Sequence, residues 1–208
     1  MSTEAICQAL MKGRAPEVRT LVQQELDNGV KAAIILNEGL LQGMSIIGGK
    51  FKKNEVYVPE VLIAARAMKA GMEILKPHLV TDGVEPVATA VIGTVKGDLH
   101  DIGKNLVGMM LEGAGFRIVD AGIDVSPEKF IELAKANNAQ VIGVSALLTT
   151  TMTNMKLVVD AVKEAGMDCK VIIGGAPVTQ AFCDEIGACG YAADAASAAD
   201  LARKLVAA

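Results

Sequence analysis

The chain predicts an all-helical N-terminal part followed by a parallel α/β domain wound on both faces of its sheet, and three observations carry that expectation. Up to about Leu79, apolar residues recur at helical spacing, with no alternation that suggests strands. From Val87 onward, short β-branched apolar runs alternate with helical patterns, which is the signature of βαβ units. Between the two lies the polar, turn-rich stretch Thr81-Asp82-Gly83-Val84-Glu85-Pro86. The expected domains are residues 1–84, a four-helix bundle, and residues 85–208, a five-stranded sheet with helices.

The helices of the first domain follow in order. Glu4 to Met11 makes a short one. Pro16, at a first-turn position, and Asn28-Gly29 bracket a second, with Val18, Leu21, Val22 and Leu26 as its apolar stripe. The third begins near Val30 or Lys31 and runs through Ile34, Ile35, Leu36, Leu40, Leu41 and Met44 towards Phe51. Gly39 or Gly43 is its expected point of interruption, and Gly48-Gly49 is expected to loosen its end. Pro59 starts the fourth, with Val61, Leu62, Ala65, Met68, Met72 and Leu75 at core spacing and a stop around Pro77. Short connections make these a bundle. Met44, Met68 and Met72 also suit an adaptable docking surface, but the helical period places them in the interior. His78, near a helix end, reads as a cation facing the helix dipole.

The second domain reads as strand Val87 to Gly93, helix Ile102 to Gly113, strand Arg117 to Ala121, helix Pro127 to Ala136 and strand Val141 to Ser145. It continues with a helix near Thr151 to Glu164, strand Lys170 to Gly174, a helix around Thr179 to Ile186, a short strand at Tyr191 and a final helix Ala195 to Val206. Right-handed crossovers and the flavodoxin-like strand order 2-1-3-4-5 are expected, with the switch point between the first and third strands.

Composition narrows the function classes. With 208 residues, 51% of them hydrophobic and 21% charged, the chain can bury two small cores. A net charge of −4 without basic clusters argues against nucleic acid or an anionic membrane as the main partner. Two Tyr, four Phe and no Trp leave few platforms for stacking bases. The start Met1-Ser2-Thr3-Glu4-Ala5 has no targeting pattern and no apolar run approaches spanning length, so a cytoplasmic protein is expected. Cys7, Cys169, Cys183 and Cys189 form no C-x-x-C pair and read as buried free thiols.

The chemistry concentrates in Gly93-Thr94-Val95-Lys96-Gly97-Asp98-Leu99-His100-Asp101-Ile102-Gly103-Lys104-Asn105-Leu106-Val107, where a strand hands over to a helix. His100 is one of two histidines, and Asp98 is close enough to accept its ring N–H, the usual support of a metal-ligating imidazole. The alternative is a helix cap by Asp98 or Asp101 with His100 a solvated loop residue. A phosphate loop is a weak match, since neither G-x-x-x-x-G-K-[ST] nor G-x-G-x-x-G is present. The expected strand order brings the loop after strand three, Ser145 to Thr149, and Gly174-Gly175 after strand four to the same edge as His100. Their small side chains would admit a thin, flat group, although each also suits an ordinary turn or cap.

The pattern D-x-H-x-x-G, met here as Asp98, His100 and Gly103, resembles the signature of cobalamin-binding domains. Gly143-Val144-Ser145-Ala146-Leu147-Leu148-Thr149 and Ile172-Ile173-Gly174-Gly175-Ala176-Pro177 are similar to that family's second and third cofactor segments. The resemblance covers nearly the whole chain. It points to the corrinoid proteins of methanol, methylamine and quaternary-amine methyltransferase systems and to the cobalamin-binding module of methionine synthase.

That resemblance implies cobalamin bound with its own base displaced, His100 as the axial cobalt ligand and Asp98 as its partner. It implies a cofactor site of Asp98, His100, Asp101, Ile102, Gly103, Ser145, Leu147, Thr149, Gly174 and Gly175. Phe51 and Val58, flanking Lys52 to Tyr57, would cap the upper cobalt face. The family shuttles a methyl group between Co(I) cobalamin and methylcobalamin, from a donor-specific methyltransferase to an acceptor methyltransferase using tetrahydrofolate or coenzyme M, with a reductive activation protein as third partner. A basic His favours Co(III) and a protonated His–Asp pair favours Co(I), so redox and proton uptake are linked. No catalytic constellation of its own is visible, so the chain reads as a carrier subunit. A cobalamin-dependent sensory or regulatory protein is the alternative, against which stand the absence of a DNA-binding motif and the short length. The small subunit of an adenosylcobalamin mutase fits less well, because it lacks a helical N-terminal domain.

Overall fold

A computed structural model describes residues 2–207, which divide into two compact units at Pro86/Val87. The first holds four helices, α1 (Ser2–Met11), α2 (Ala15–Asp27), α3 (Ala32–Lys52) and α4 (Val58–Thr81). Helix α1 packs on α2 and α3, and α2 packs on α4. Ile6, Leu10, Val18, Val22, Ile35, Leu40, Met44 and Leu75 are its largest fully buried side chains. Met44 and Met68 are buried and Met72 is half-buried, as the helical period requires.

Three features of this unit depart from the sequence reading. Helix α3 is not interrupted at its glycines but widens into a π-helical stretch, Ile35–Leu41, and continues through a buried Gly48 to Lys52. Near its start Asn37 Nδ2 donates to Ala33 O at 2.8 Å. Helix α4 runs past Pro77. Proline removes one donor, yet the residues beyond it still find carbonyls, Thr81 Oγ1 donating to Pro77 O at 3.0 Å and Asp82 N to His78 O at 2.9 Å. By length and composition α3 is also apolar enough to span a membrane, contrary to the expectation. Its apolar residues Ile35, Leu40, Met44 and Ile47 are packed inside the unit.

The second unit is a five-stranded parallel sheet of order β2-β1-β3-β4-β5. Its strands are β1 (Thr89–Val95), β2 (Arg117–Val125), β3 (Val141–Ser145), β4 (Lys170–Gly174) and β5 (Gly190–Tyr191). The helices are α5 (Ile102–Gly113), α6 (Pro127–Ala136), α7 (Thr149–Met152), α8 (Asn154–Glu164), α9 (Gln180–Ile186) and α10 (Ala195–Val206). Strand β1 is buried at every position, as a central parallel strand must be. It runs two residues later than expected because Gly93 does not break it. A Cβ at Gly93 would stand 2.7 Å from the Phe130 ring, so this glycine lets α6 approach the sheet. Strand β2 runs four residues longer than expected, and the helix after β3 is split at Thr153.

Val91, Val95, Ile142, Val144, Val171 and Ile173 face one core with Phe130, Met155, Val158 and Cys183 of α6, α8 and α9. The opposite face meets α5 and α10, where Gly108 lies against Ile92 and Gly190 against Leu201. Of the cysteines, Cys7, Cys169 and Cys183 are buried as expected, while Cys189 is exposed at the start of the edge strand. Burial pushes the Cys169 thiol up to about 12, which makes it inert.

Candidate functional site

From β1 the chain crosses to β2 on one side, and from β3 to β4 on the other, so a crevice opens at the carboxyl ends of β1 and β3. The loop between β1 and α5 lies there and is anchored by Asp98, which is fully buried. Its Oδ1 accepts His100 N at 3.1 Å and lies 2.7 Å from His100 Nδ1. Its Oδ2 accepts Leu147 N at 2.8 Å, Leu148 N at 3.3 Å and Thr151 Oγ1 at 2.6 Å. Burial pushes the Asp98 pKa up, but hydrogen bonds from Thr151, Leu147 and His100 more than offset it and hold the carboxyl well below the usual range.

An ionised carboxylate only accepts, so His100 Nδ1 carries the proton in this pair. The Nε2 lone pair of the neutral ring is then left for another partner, and the His100 side chain is 50% exposed. Leu99 and Ile102, 67% and 80% exposed, flank it in the loop, and Leu147 and Leu148, whose amides bind the same Asp98, are exposed as well. Among the described residues no group of three or more His, Cys, Asp or Glu side chains is placed to hold a metal. An ion bound by His100 therefore brings other ligands of its own. One carboxylate-backed imidazole on an apolar platform fits a cobalt held in a corrin ring.

The row Thr94, Ser145, Gly174 runs across β1, β3 and β4 in register, giving three small residues on the face toward α5 and α10. At the start of α5, a Cβ added at Gly103 would meet no atom within 4 Å, so space lies open there. Gly174 and Gly175 differ in kind. Gly175 has φ 135° and a Cβ there would fall 1.8 Å from Ala146 O, so the backbone alone demands glycine. Gly174 takes an ordinary φ, and its Cβ would stand 3.2 Å from Ala192 O.

The structure thus brings Asp98, His100, Ile102, Gly103, Ser145, Leu147 and Gly174 to one sheet edge. Asp101, Thr149 and Gly175 lie at the same edge, Asp101 and Thr149 exposed like Ile102, Gly103 and Leu147. Asp101 occupies the N-cap position of α5 without capping it, and instead accepts Asn105 Nδ2 at 3.0 Å. Neither acid caps α5, and Asp98 spends its oxygens on His100 and on Leu147, Leu148 and Thr151 around the start of α7. Phe51 and Val58, both half-buried, belong to the helical unit on either side of the connection between α3 and α4.

Four functional candidates escaped the sequence reading. Thr94 Oγ1 donates to His100 O at 2.8 Å. Thr151 is the hydroxyl that reaches Asp98, and nothing in Thr149-Thr150-Thr151 reveals which of three threonines turns inward. Asp124 and Asn154 hold the backbone of the His100 loop from β2 and α8. A strand end rich in Thr and Asp was the available signal for Thr94, and for Asp124 there was none.

Comparison with known proteins agrees with this geometry. Residues 88–200 match the family described as B12 binding domain, and residues 3–76 match a second family of the same description. The chain is 39% identical over 204 residues to a corrinoid protein of Desulfitobacterium hafniense (strain Y51), covering 96% of this chain and 94% of that one. It is 46% identical over 177 residues to a dimethylamine corrinoid protein of Methanosarcina barkeri, 83% of each chain being covered. In structure it resembles a chain of the methanol:cobalamin methyltransferase complex of Methanosarcina barkeri, with TM-score 0.88, 29% identity, and coverage of 99% of this chain and 80% of that chain. A cobalamin-binding protein of Desulfitobacterium hafniense DCB-2 superposes with TM-score 0.81 at 32% identity, 98% of each chain being covered. With a carboxylate-backed histidine at the switch point of its sheet and relatives matched over nearly its full length, this chain belongs to the cobalamin-binding corrinoid proteins.

Proposed function

We propose that this protein is a cytoplasmic methyl carrier that holds cobalamin through His100 Nε2, with the cofactor's own base displaced into the slot beside Ser145 and Gly174. The observation that carries the reading is the Asp98–His100 pair, which presents a single backed imidazole nitrogen at an open apolar edge. Bound cobalamin supplies a cobalt centre able to accept a methyl group and pass it on. The chain's own residues bind, orient and tune. Asp98 fixes the tautomer and orientation of the imidazole, and Thr151 with the Leu147 and Leu148 amides keeps Asp98 ionised. The exposed Leu99, Ile102, Leu147 and Leu148 would give the macrocycle its apolar contacts. Phe51 and Val58 of the helical unit would cap the cofactor's other face, so Phe51→Ala is expected to speed photolysis of the methylated holoprotein, whereas an unchanged rate would restrict Phe51 to helix packing.

A donor-specific methyltransferase supplies the methyl group, and a second methyltransferase removes it to tetrahydrofolate or coenzyme M. A reductive activation protein restores the carrier after oxidation. The partner named in the methanol:cobalamin methyltransferase complex and the dimethylamine name of a relative support a methylated one-carbon donor. The test is the oxidised holoprotein of His100→Ala. It is expected to retain cobalamin more weakly and to lose the imidazole-ligated spectrum. A spectrum identical to that of the unmutated protein would overturn the axial assignment.

A further inference from the structure

Strand β2 does not end as a regular strand. Its pairing with β1 slips twice, between Ile92↔Asp120 and Gly93↔Gly122 and again before Val95↔Val125, so β2 carries extra residues against β1. Bulges of this sort re-aim a side chain. The first is tied by Asp120 Oδ1, which accepts Gly122 N at 2.8 Å, and Asp120 in turn receives the buried Lys104 Nζ at 2.6 Å. At the second, Asp124 adopts φ 53°, a left-handed conformation uncommon outside glycine, though Asp tolerates it better than most residues.

This costly backbone has a visible result. Asp124 Oδ1 accepts Gly97 N at 2.7 Å, and Asp124 N donates to Asp98 O at 3.0 Å. One residue therefore grips the chain on both sides of the Asp98 Cα. Lys96 Nζ adds an ion pair to the same carboxylate at 3.2 Å. From the other side, Asn154 Nδ2 donates to Lys96 O at 2.8 Å. Gly97, at φ 83°, turns between these two holds.

We infer that Asp124, seconded by Asn154, is a positioning residue that clamps the Gly97–Asp98 backbone and so aims His100 at the cofactor. Neither side chain touches His100, and both act through the main chain that carries Asp98. The inference rests on the axial role of His100 proposed above. A ligand supplied by one imidazole needs its loop held before the cofactor arrives, because a loose loop would spend binding energy on ordering itself.

Three variants test the clamp. Asp124→Gly keeps the left-handed backbone and the N–H to Asp98 O while deleting the carboxylate. Asp124→Asn keeps the acceptor and loses the charge. Asn154→Ala removes the second hold. In the apoprotein, Asp124→Gly is expected to speed hydrogen exchange of the Gly97 amide about tenfold, as befits loss of a bond to a charged acceptor. In the holoprotein it is expected to lower the imidazole-coordinated fraction without lowering total cobalamin bound, and Asp124→Asn should restore most of both. Wild-type coordination in Asp124→Gly, or equal damage in Asp124→Asn, overturns the inference. Should Asp124→Gly not fold, Asn154→Ala decides by the same two readouts, and wild-type values there overturn it. His100→Ala run in parallel separates the two claims. If it coordinates normally, the axial reading has failed, while the Gly97 exchange rate still reports on the clamp.

Discussion

The helical unit buries Ile6, Leu10, Ile35, Leu40 and Leu75, and its ion pairs Arg14–Glu17 and Arg19–Glu73 stand in solvent. Besides Thr89 at the start of β1, the α/β unit buries Thr94, Asp98, Lys104 and Thr151, all four within or beside the crevice at the end of β1. Buried polar groups are tolerated only when bonded, and each of these has partners. The helical unit is held mainly by apolar packing, with Glu25 of α2 buried beside it. The other has placed its expensive polar groups where one histidine must be aimed. The position of buried polarity, more than the larger core, marks the site.

The sharpest way to break this contrast is Asp98→Ala. It would orphan Leu147 N, Leu148 N and both donors of His100 and leave the Thr151 hydroxyl only Leu148 O, with an expected cost of about 3–5 kcal/mol to the α/β unit. Urea unfolding of the apoprotein measures it, and a loss under 1 kcal/mol would mean that water replaces the network. Leu75→Ala in the helical unit should cost roughly 2–5 kcal/mol by leaving a cavity. Unlike Asp98→Ala, it is expected to leave the imidazole-ligated spectrum of the holoprotein unchanged.

The contrast also has a pH signature. Because the folded Asp98 carboxyl titrates below its unfolded value, its contribution is complete above about pH 4 and is lost as pH falls further toward the folded value. Asp98→Asn is therefore expected to flatten the acid limb of apoprotein stability, and an unchanged limb would contradict the burial of an ionised group. A smaller effect is expected for Thr151→Val, about 1–2 kcal/mol for one hydrogen bond to a charge, with Thr151→Ser close to the original. Smallest in stability, but selective in binding, is Ser145→Leu. It should weaken cobalamin while sparing cobinamide, which lacks the nucleotide tail. Gly174→Val is a poorer probe, because its side chain would crowd Ala192 O before any cofactor binds.

What could be read from the sequence follows the same division. β3, β4, α5, α6 and α10 begin and end where their patterns place them, with Ser145, Gly174 and Gly113 closing their runs, Pro127 opening α6 and Asp194 capping α10. Alternating βα units left two common strand orders, and the sheet takes the favoured one, 2-1-3-4-5, which brings the His100 and Ser145 segments together. Local rules failed where tertiary packing overrode them: Gly93 continues a strand to admit Phe130, and Pro77 sits inside α4. They also could not identify Thr151 or Asp124 as loop supports. Which threonine turns inward depends on the α7 turn, and Asp124 reaches Gly97 only through two bulges that no periodicity encodes.

The central claim is that the nitrogen on cobalt comes from His100 and not from the cofactor. Protein labelled with nitrogen-15 only in histidine, loaded with unlabelled cobalamin and reduced to the Co(II) state, tests it by the superhyperfine splitting of its electron paramagnetic resonance. With His78 and His100 the only histidines, and His78 in the helical unit, a doublet from one nitrogen-15 nucleus is the expected result, and its loss in His100→Ala assigns the residue. A triplet from nitrogen-14 would show that the cofactor's own base stays on the metal, and would contradict the axial role of His100.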